Sequence, residues 1–299
     1  MRPSPSTSPS FPKSECRMLW LATQLIDYAF GLAMVYSVTI YSMETYPPSD
    51  HPLRWAIVLF IQGHVAPGLI YLRERVHFVL LGNRVSKFKR QDLTRANWKL
   101  TVQTTVFSQA SSFIPGLLGM FDFKDTFEWS SSNLIKAYLQ FYAMLMLRDL
   151  VSMTPFHALM HTPRWYHLHK THHEVRRDAQ AMHSFHIDLI DLIIEKVCGN
   201  AILLAGQRAV GLPVQINPFA AALFTCHDGA LHSVNPYSVI YFCPPLDCLL
   251  KGNVCHQLHH ALNKDYYTFI PFSHVWLRRK RDEDWDRYNS IFKTDFVLR

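Results

Sequence analysis

One short pattern, present twice, constrains this chain more than anything else in it: His-x2-His-His at His169, His172 and His173, and again at His256, His259 and His260. With 17 histidines in 299 residues, chance supplies such a triplet in roughly one chain in twenty, so two copies need a cause. On a helix, residues i, i+3 and i+4 share one face, and each box can aim its imidazoles at a single point. The other histidines gather around the boxes, and thirteen of the 17 fall between His157 and His260. His157 and His161 form an H-x3-H pair, His183 and His186 lie in MHSFH, and His227 and His232 lie in HDGALH. The fold is expected to be helical and to bring 157–173 and 256–260 together.

Four apolar stretches are long enough to be membrane spans: 18–43, 55–72, 101–121 and 134–153, interrupted by Asp27, His64 and Asp149. The loops between them alternate in charge. The tail carries Arg2, Lys13 and Arg17, and 73–100 carries eight basic residues against Glu74 and Asp92. The loops near 44–54 and 122–133 hold few, and the second shows Asp122, Asp125 and Glu128. The positive-inside rule then puts the tail and 73–100 in the cytosol, and four crossings return the chain to the cytosolic border just before His157. The expected architecture is all-α: about four transmembrane helices with a cytosol-facing helical cap that carries the histidine boxes.

Two further apolar stretches, 187–212 and 214–226, are expected to lie in or near the membrane interface. Asp188, Asp191, Glu195 and Lys196 in the first are costly in hydrocarbon. The polar tail 278–290 (RRKRDEDWDRYNS) reads as a solvated helix or loop. Residues 1–16 are Ser/Pro-rich and read as a disordered tail, with 17–299 as a single domain. Six cysteines without a C-x2-C spacing read as reduced thiols and exclude a zinc ribbon. The net charge of +7 comes without an aromatic-interleaved basic face, which argues against nucleic acid as a partner.

Imidazole is the commonest nitrogen ligand of zinc, iron and copper, and two clusters suffice for a two-metal centre. The candidate ligands are His157, His161, His169, His172, His173, His227, His232, His256, His259 and His260, with His183 and His186 as ligands or supports of ligands. His167 falls on the opposite helical face from His169 and reads as structural, and His51, His64, His77 and His274 belong to no pattern. A hydrolytic zinc site needs three ligands, an open water position and a general base. More than eight histidines in two groups point instead to two redox metals. In a membrane that means iron and oxygen acting on an unactivated carbon, chemistry beyond acid–base groups.

The order H-x3-H, H-x2-HH, H-D-G, H-x2-HH resembles the sterol desaturase / fatty acid hydroxylase superfamily of integral membrane non-haem di-iron oxidases. Arg164 to His173 (RWYHLHKTHH) and HSFH at 183–186 are the most specific stretches, and HDG at 227–229 and CHQLHH at 255–260 are similar to the C-5 sterol desaturase branch. The resemblance runs from about 134 to 276, close to half the chain. It implies an endoplasmic reticulum protein with a cytosol-facing centre of two iron ions. It also implies molecular oxygen and electrons from NAD(P)H through a separate cytochrome b5 or reductase. His161 and His169 are eight residues apart, one fewer than in the sterol branch, so a local bulge must compensate or the ligand set differs. The family's Trp-Asp-Arg after the last box is Trp276-Leu277-Arg278 here, which moves the expectation from sterol C-5 desaturation to hydroxylation of a fatty-acyl or similar apolar chain. Both remain open, as does a non-catalytic metal-binding membrane protein.

Overall fold

The computed structural model describes residues 18–33, 68–86, 147–198, 231–236, 238, 252–263 and 281–294, with single helical positions at 99, 102, 103, 135, 139, 143, 201, 202, 205, 206 and 209. The tail 1–16 and much of the four expected spans lie outside these residues. The described residues are helical, without a strand, and no helix among them is long and apolar enough to cross a membrane.

Helix α1 covers 18–33 and α2 covers 68–81. Both are amphipathic in an unusual sense. α1 turns Leu19, Thr23 and Asp27 inward at i, i+4, i+8, and leaves Leu25 and Leu32 63% and 67% exposed. α2 buries Ile70, Arg73, Glu74, His77 and Leu81, while Val79 is 84% exposed. The charges that interrupt the apolar pattern therefore point into the protein, and leucines and valine point out. Arg73 and Glu74, expected as part of a basic loop, are instead buried helix residues. His77, which belonged to no pattern, lies with its Nε2 at 2.9 Å from Asp27 Oδ1. α2 stops at Gly82, whose φ of +53° is open to a residue without Cβ, and a short turn Gly82–Arg84 follows.

The chain reaches the histidines through a wide turn, Asp149–Met153, that leads into α3, Thr154–Met160. Pro155 sits in the first turn of α3, where its missing N–H costs the helix little, and the wide turn just before it adjusts the register. A tight turn follows, with Trp165 and Tyr166 both donating their N–H to Thr162 O. It leads into α4, Tyr166–His169, and a short turn His172–Glu174. Another short turn, Ala181–Phe185, precedes α5, Leu189–Leu192, which runs on as a wide turn Ile193–Cys198. α6, Gly252–Leu262, is buried at every position from Asn253 to His260, so no face of it is left to water. Asn263 ends it at φ 56°, its N–H on His259 O.

The last helix, α7, Arg281–Phe292, corrects the expectation of a wholly solvated tail. Tyr288 and Phe292 are fully buried against Val254, Cys255 and Leu258 of α6, Leu19 of α1, Leu81, Val85 and Val234. This apolar cluster packs against one side of α6 and leaves its histidine side to the centre.

Candidate metal centre

Nine of the ten expected ligands lie within the described residues, and all nine converge. His157, His161, His169, His173 and His259 form one group, and His172, His232, His256 and His260 form a second, with the ligand atoms of each group within 4.8 Å of one another. His227 lies outside the described residues. The groups are neighbours: the rings of His173 and His260 stack at 4.6 Å between centroids.

Each box serves both groups. In either triplet the i and i+4 histidines go to one group and the i+3 histidine to the other. The expectation that a box aims at one point is corrected: on α6, i and i+4 differ by about 40° around the axis while i+3 lies about 100° from i+4, and the first box, which runs from the end of α4 into the turn His172–Glu174, divides in the same way. A triplet spans two sites and ties them together. The short spacing from His161 to His169 is absorbed by the tight turn between α3 and α4, and both residues reach the first group.

The hydrogen bonds fix which nitrogen faces inward. His169 Nδ1 lies 2.7 Å from Asp191 Oδ2, His172 Nδ1 3.1 Å from His186 O, and His260 Nδ1 3.2 Å from Val175 O. Each oxygen can only accept, so each of these rings carries its proton on Nδ1 and presents an Nε2 lone pair. Those lone pairs meet other imidazoles at contact distance. His169 Nε2 is 3.1 Å from His173 Nε2, which is 3.2 Å from His259 Nε2. His232, His256 and His260 close a triangle of Nε2 atoms with sides 3.0, 3.0 and 3.2 Å.

Facing lone pairs repel unless a cation or proton lies between them. A metal held at about 2.1 Å from each corner of that triangle sees neighbouring ligands at about 95°, whereas a tetrahedral site needs nitrogens about 3.4 Å apart. The arrangement fits three adjacent positions of a five- or six-coordinate ion.

A second proton on these rings is disfavoured. Burial, reinforced by the neighbouring imidazoles, holds His157, His173, His256 and His260 well below the usual histidine value. Burial, reinforced by the imidazoles of His172, His161 and His259, lowers His169 as well. Burial brings His161 down to about 4. These six rings are held in the neutral form, which is the state that binds a metal.

His183 and His186 do not join either group. His183 Nδ1 accepts the Gln180 N–H at 2.8 Å, which caps the turn 181–185 and places the ring proton on Nε2, so neither nitrogen offers a free lone pair. His186 contributes its backbone carbonyl, which orients His172. His167 is exposed.

Sequence reasoning missed the supports. Asp191 and Glu195, read as a cost in an apolar stretch, are buried beside His169, with Glu195 Oε1 at 3.8 Å from its Nδ1. Asp188 accepts the Thr171 hydroxyl in a short hydrogen bond, so α5 braces the first box along its length. The signal was present: carboxylates in an otherwise apolar segment persist where they have a partner. No protein-family model, curated protein or solved structure matches this chain.

Proposed function

We propose that this protein is a membrane-bound non-haem di-iron oxidase of the sterol desaturase / fatty acid hydroxylase type, using O2 to hydroxylate a fatty-acyl or similar apolar chain. The observation that carries the reading is the pair of adjacent all-histidine groups, with Nε2 atoms of neighbouring rings turned towards one another. Two iron ions in those groups would supply oxygen activation strong enough to remove hydrogen from an unactivated carbon. The balance is R–H + O2 + 2 electrons + 2 protons to R–OH + H2O. The electrons come from an external NAD(P)H-dependent cytochrome b5 or reductase.

The chain's own contribution is to hold and shield. His157, His161, His169, His173 and His259 would hold one metal, and His172, His232, His256 and His260 the other. Asp191, with Glu195 behind it, orients His169 and supplies negative charge that the neutral ligands lack. Eight of the nine ligands are buried, which limits water at the site and so limits unproductive loss of oxidising equivalents.

Membrane residence is supported by the inverted polarity of α1 and α2, which bury Asp27, Arg73, Glu74 and His77 and expose leucines. The same holds at Ile135, Leu139, Leu147 and Leu150, all exposed apolar residues. The endoplasmic reticulum with the centre facing the cytosol is the location that suits this arrangement and its electron donor.

Purified protein analysed for metal and supplied with lipid, 18O2 and a reductase tests the reading. Two irons per chain and one labelled oxygen in the product are expected, with turnover abolished in His172→Ala and His259→Ala. An unlabelled, newly unsaturated sterol would assign C-5 desaturation instead. Zinc or no metal, with no product, would mean a non-catalytic metal-binding protein, and a label entering the product from 18O-water in a parallel run would mean hydrolysis.

A further inference from the structure

We propose that Glu74 is the positioning residue of the second histidine group, holding His232 and the support of His172 in place from outside the ligand shell; the inference rests on the two-metal reading above. Glu74 is a carboxylate on α2, 2% exposed, with three donors on it. Oε1 accepts the backbone N–H of Val234 at 2.7 Å and of Ala181 at 3.1 Å, and Oε2 accepts the Ser233 hydroxyl at 3.1 Å.

These donors belong to the two segments that serve the second group. Ser233 and Val234 directly follow the ligand His232. Ala181 opens the turn that ends at His186, whose carbonyl fixes the His172 ring. One side chain therefore ties together two backbones that are distant in sequence, at the point where each presents its part of one metal group. From the opposite side α6 holds the same segment, with Asn253 Nδ2 on Asn235 O at 2.9 Å and Gln257 on Ser233 O.

The brace is itself anchored. Next to Glu74 on α2, Arg73 Nε lies 3.5 Å from Asp27 Oδ1, and His77 Nε2 lies 2.9 Å from the same oxygen. Ser238 donates to Asp27 Oδ2 at 2.8 Å, so α1 also reaches the ligand-bearing segment. Among the described residues, these hydrogen bonds of Glu74 go to the segments of the second group and not to the first, which α3, α4 and α5 support. The consequence is selective: loss of Glu74 loosens one metal site and spares the other.

The test titrates cobalt(II) alone into the metal-free full chain in detergent micelles, with a chelator competitor and metal counted per chain. Wild type binds two ions. Glu74→Ala, and Glu74→Asp, which is one methylene too short to reach all three donors, weaken one of the two sites at least tenfold and leave the other within threefold.

Glu74→Gln restores the weakened site, because its Oε1 still accepts the two N–H groups. Its amide can donate to Ser233 Oγ, whose own proton turns to His77 Nδ1, 3.4 Å away. If Glu74→Ala does not fold, Glu74→Asp gives the same readout. Two unchanged sites in Glu74→Asp, or equal weakening of both, overturns the proposal. A wild type that binds fewer than two ions overturns the two-metal reading itself.

Discussion

Asp191→Ala should weaken the first metal site and not the second. The His169 Nδ1 to Asp191 Oδ2 contact of 2.7 Å lies at the short end for a charge-assisted hydrogen bond, and both side chains are fully buried. A hydrogen bond to a charged group contributes about 1.5–3 kcal/mol. At about 1.4 kcal/mol per tenfold, that is about 10- to 150-fold in affinity, in line with the roughly 10–100-fold typical of residues behind a metal ligand. Asp191→Asn keeps an oxygen that accepts the Nδ1–H and loses the charge, so it should cost about 1 kcal/mol, or roughly fivefold.

Glu195 sits close enough to take over part of the contact, its Oε1 3.8 Å from Nδ1. The Asp191→Ala/Glu195→Ala pair should therefore exceed Asp191→Ala alone. Chelator competition with metal counted per chain separates the sites, and the losses should fall on the site that Glu74 does not control. An Asp191→Ala/Glu195→Ala protein with two wild-type affinities would refute the argument, because His169 would then be oriented by its backbone alone.

The metal-free protein should lose stability as pH falls. Burial lowers the folded values of its histidines, to about 4 at the half-buried His161 and about 3 at the buried His183, against 6.5 in the unfolded chain. The unfolded chain alone takes up protons below 6.5, so stability is full above that pH and declines from there towards the folded values. Each fully buried histidine steepens the decline by up to about 1.4 kcal/mol per pH unit. A thermal midpoint unchanged from pH 7.5 to 5 would contradict this. Leu258→Ala, at a fully buried position between α6 and α7, should cost about 2–5 kcal/mol in chemical denaturation. Tyr288→Phe removes the donor that Gln257 Oε1 accepts at 3.0 Å and should cost about 1–3 kcal/mol. His186→Ala should retain both metals within about threefold while His172→Ala loses one, since His186 acts through its carbonyl.

The histidine spacing showed which residues within a segment share a side, because four-residue steps on a helix bring side chains together. All nine of the expected ligands that lie within the described residues fall into the two groups. Helical character was also legible, from periodicity and from the length of the apolar runs. The division of each triplet between two groups was not. It depends on where the second box lies relative to the first, a relation set by α6 packing between the apolar cluster and α5-braced segments.

Nor could spacing separate His172, a ligand-group member, from His183, whose Nδ1 is occupied by the Gln180 N–H. A hydrogen bond to a backbone two residues outside the motif leaves no mark on the motif. The charged residues show the same limit from the other side. Asp27 and Asp191 read in sequence as interruptions of apolar segments and Glu74 as part of a basic loop, and only the packing of α1, α2 and α5 against the ligand-bearing turns gives them donors to accept. A carboxylate's burial is tolerable only where partners converge on it, and convergence is a property of the tertiary structure.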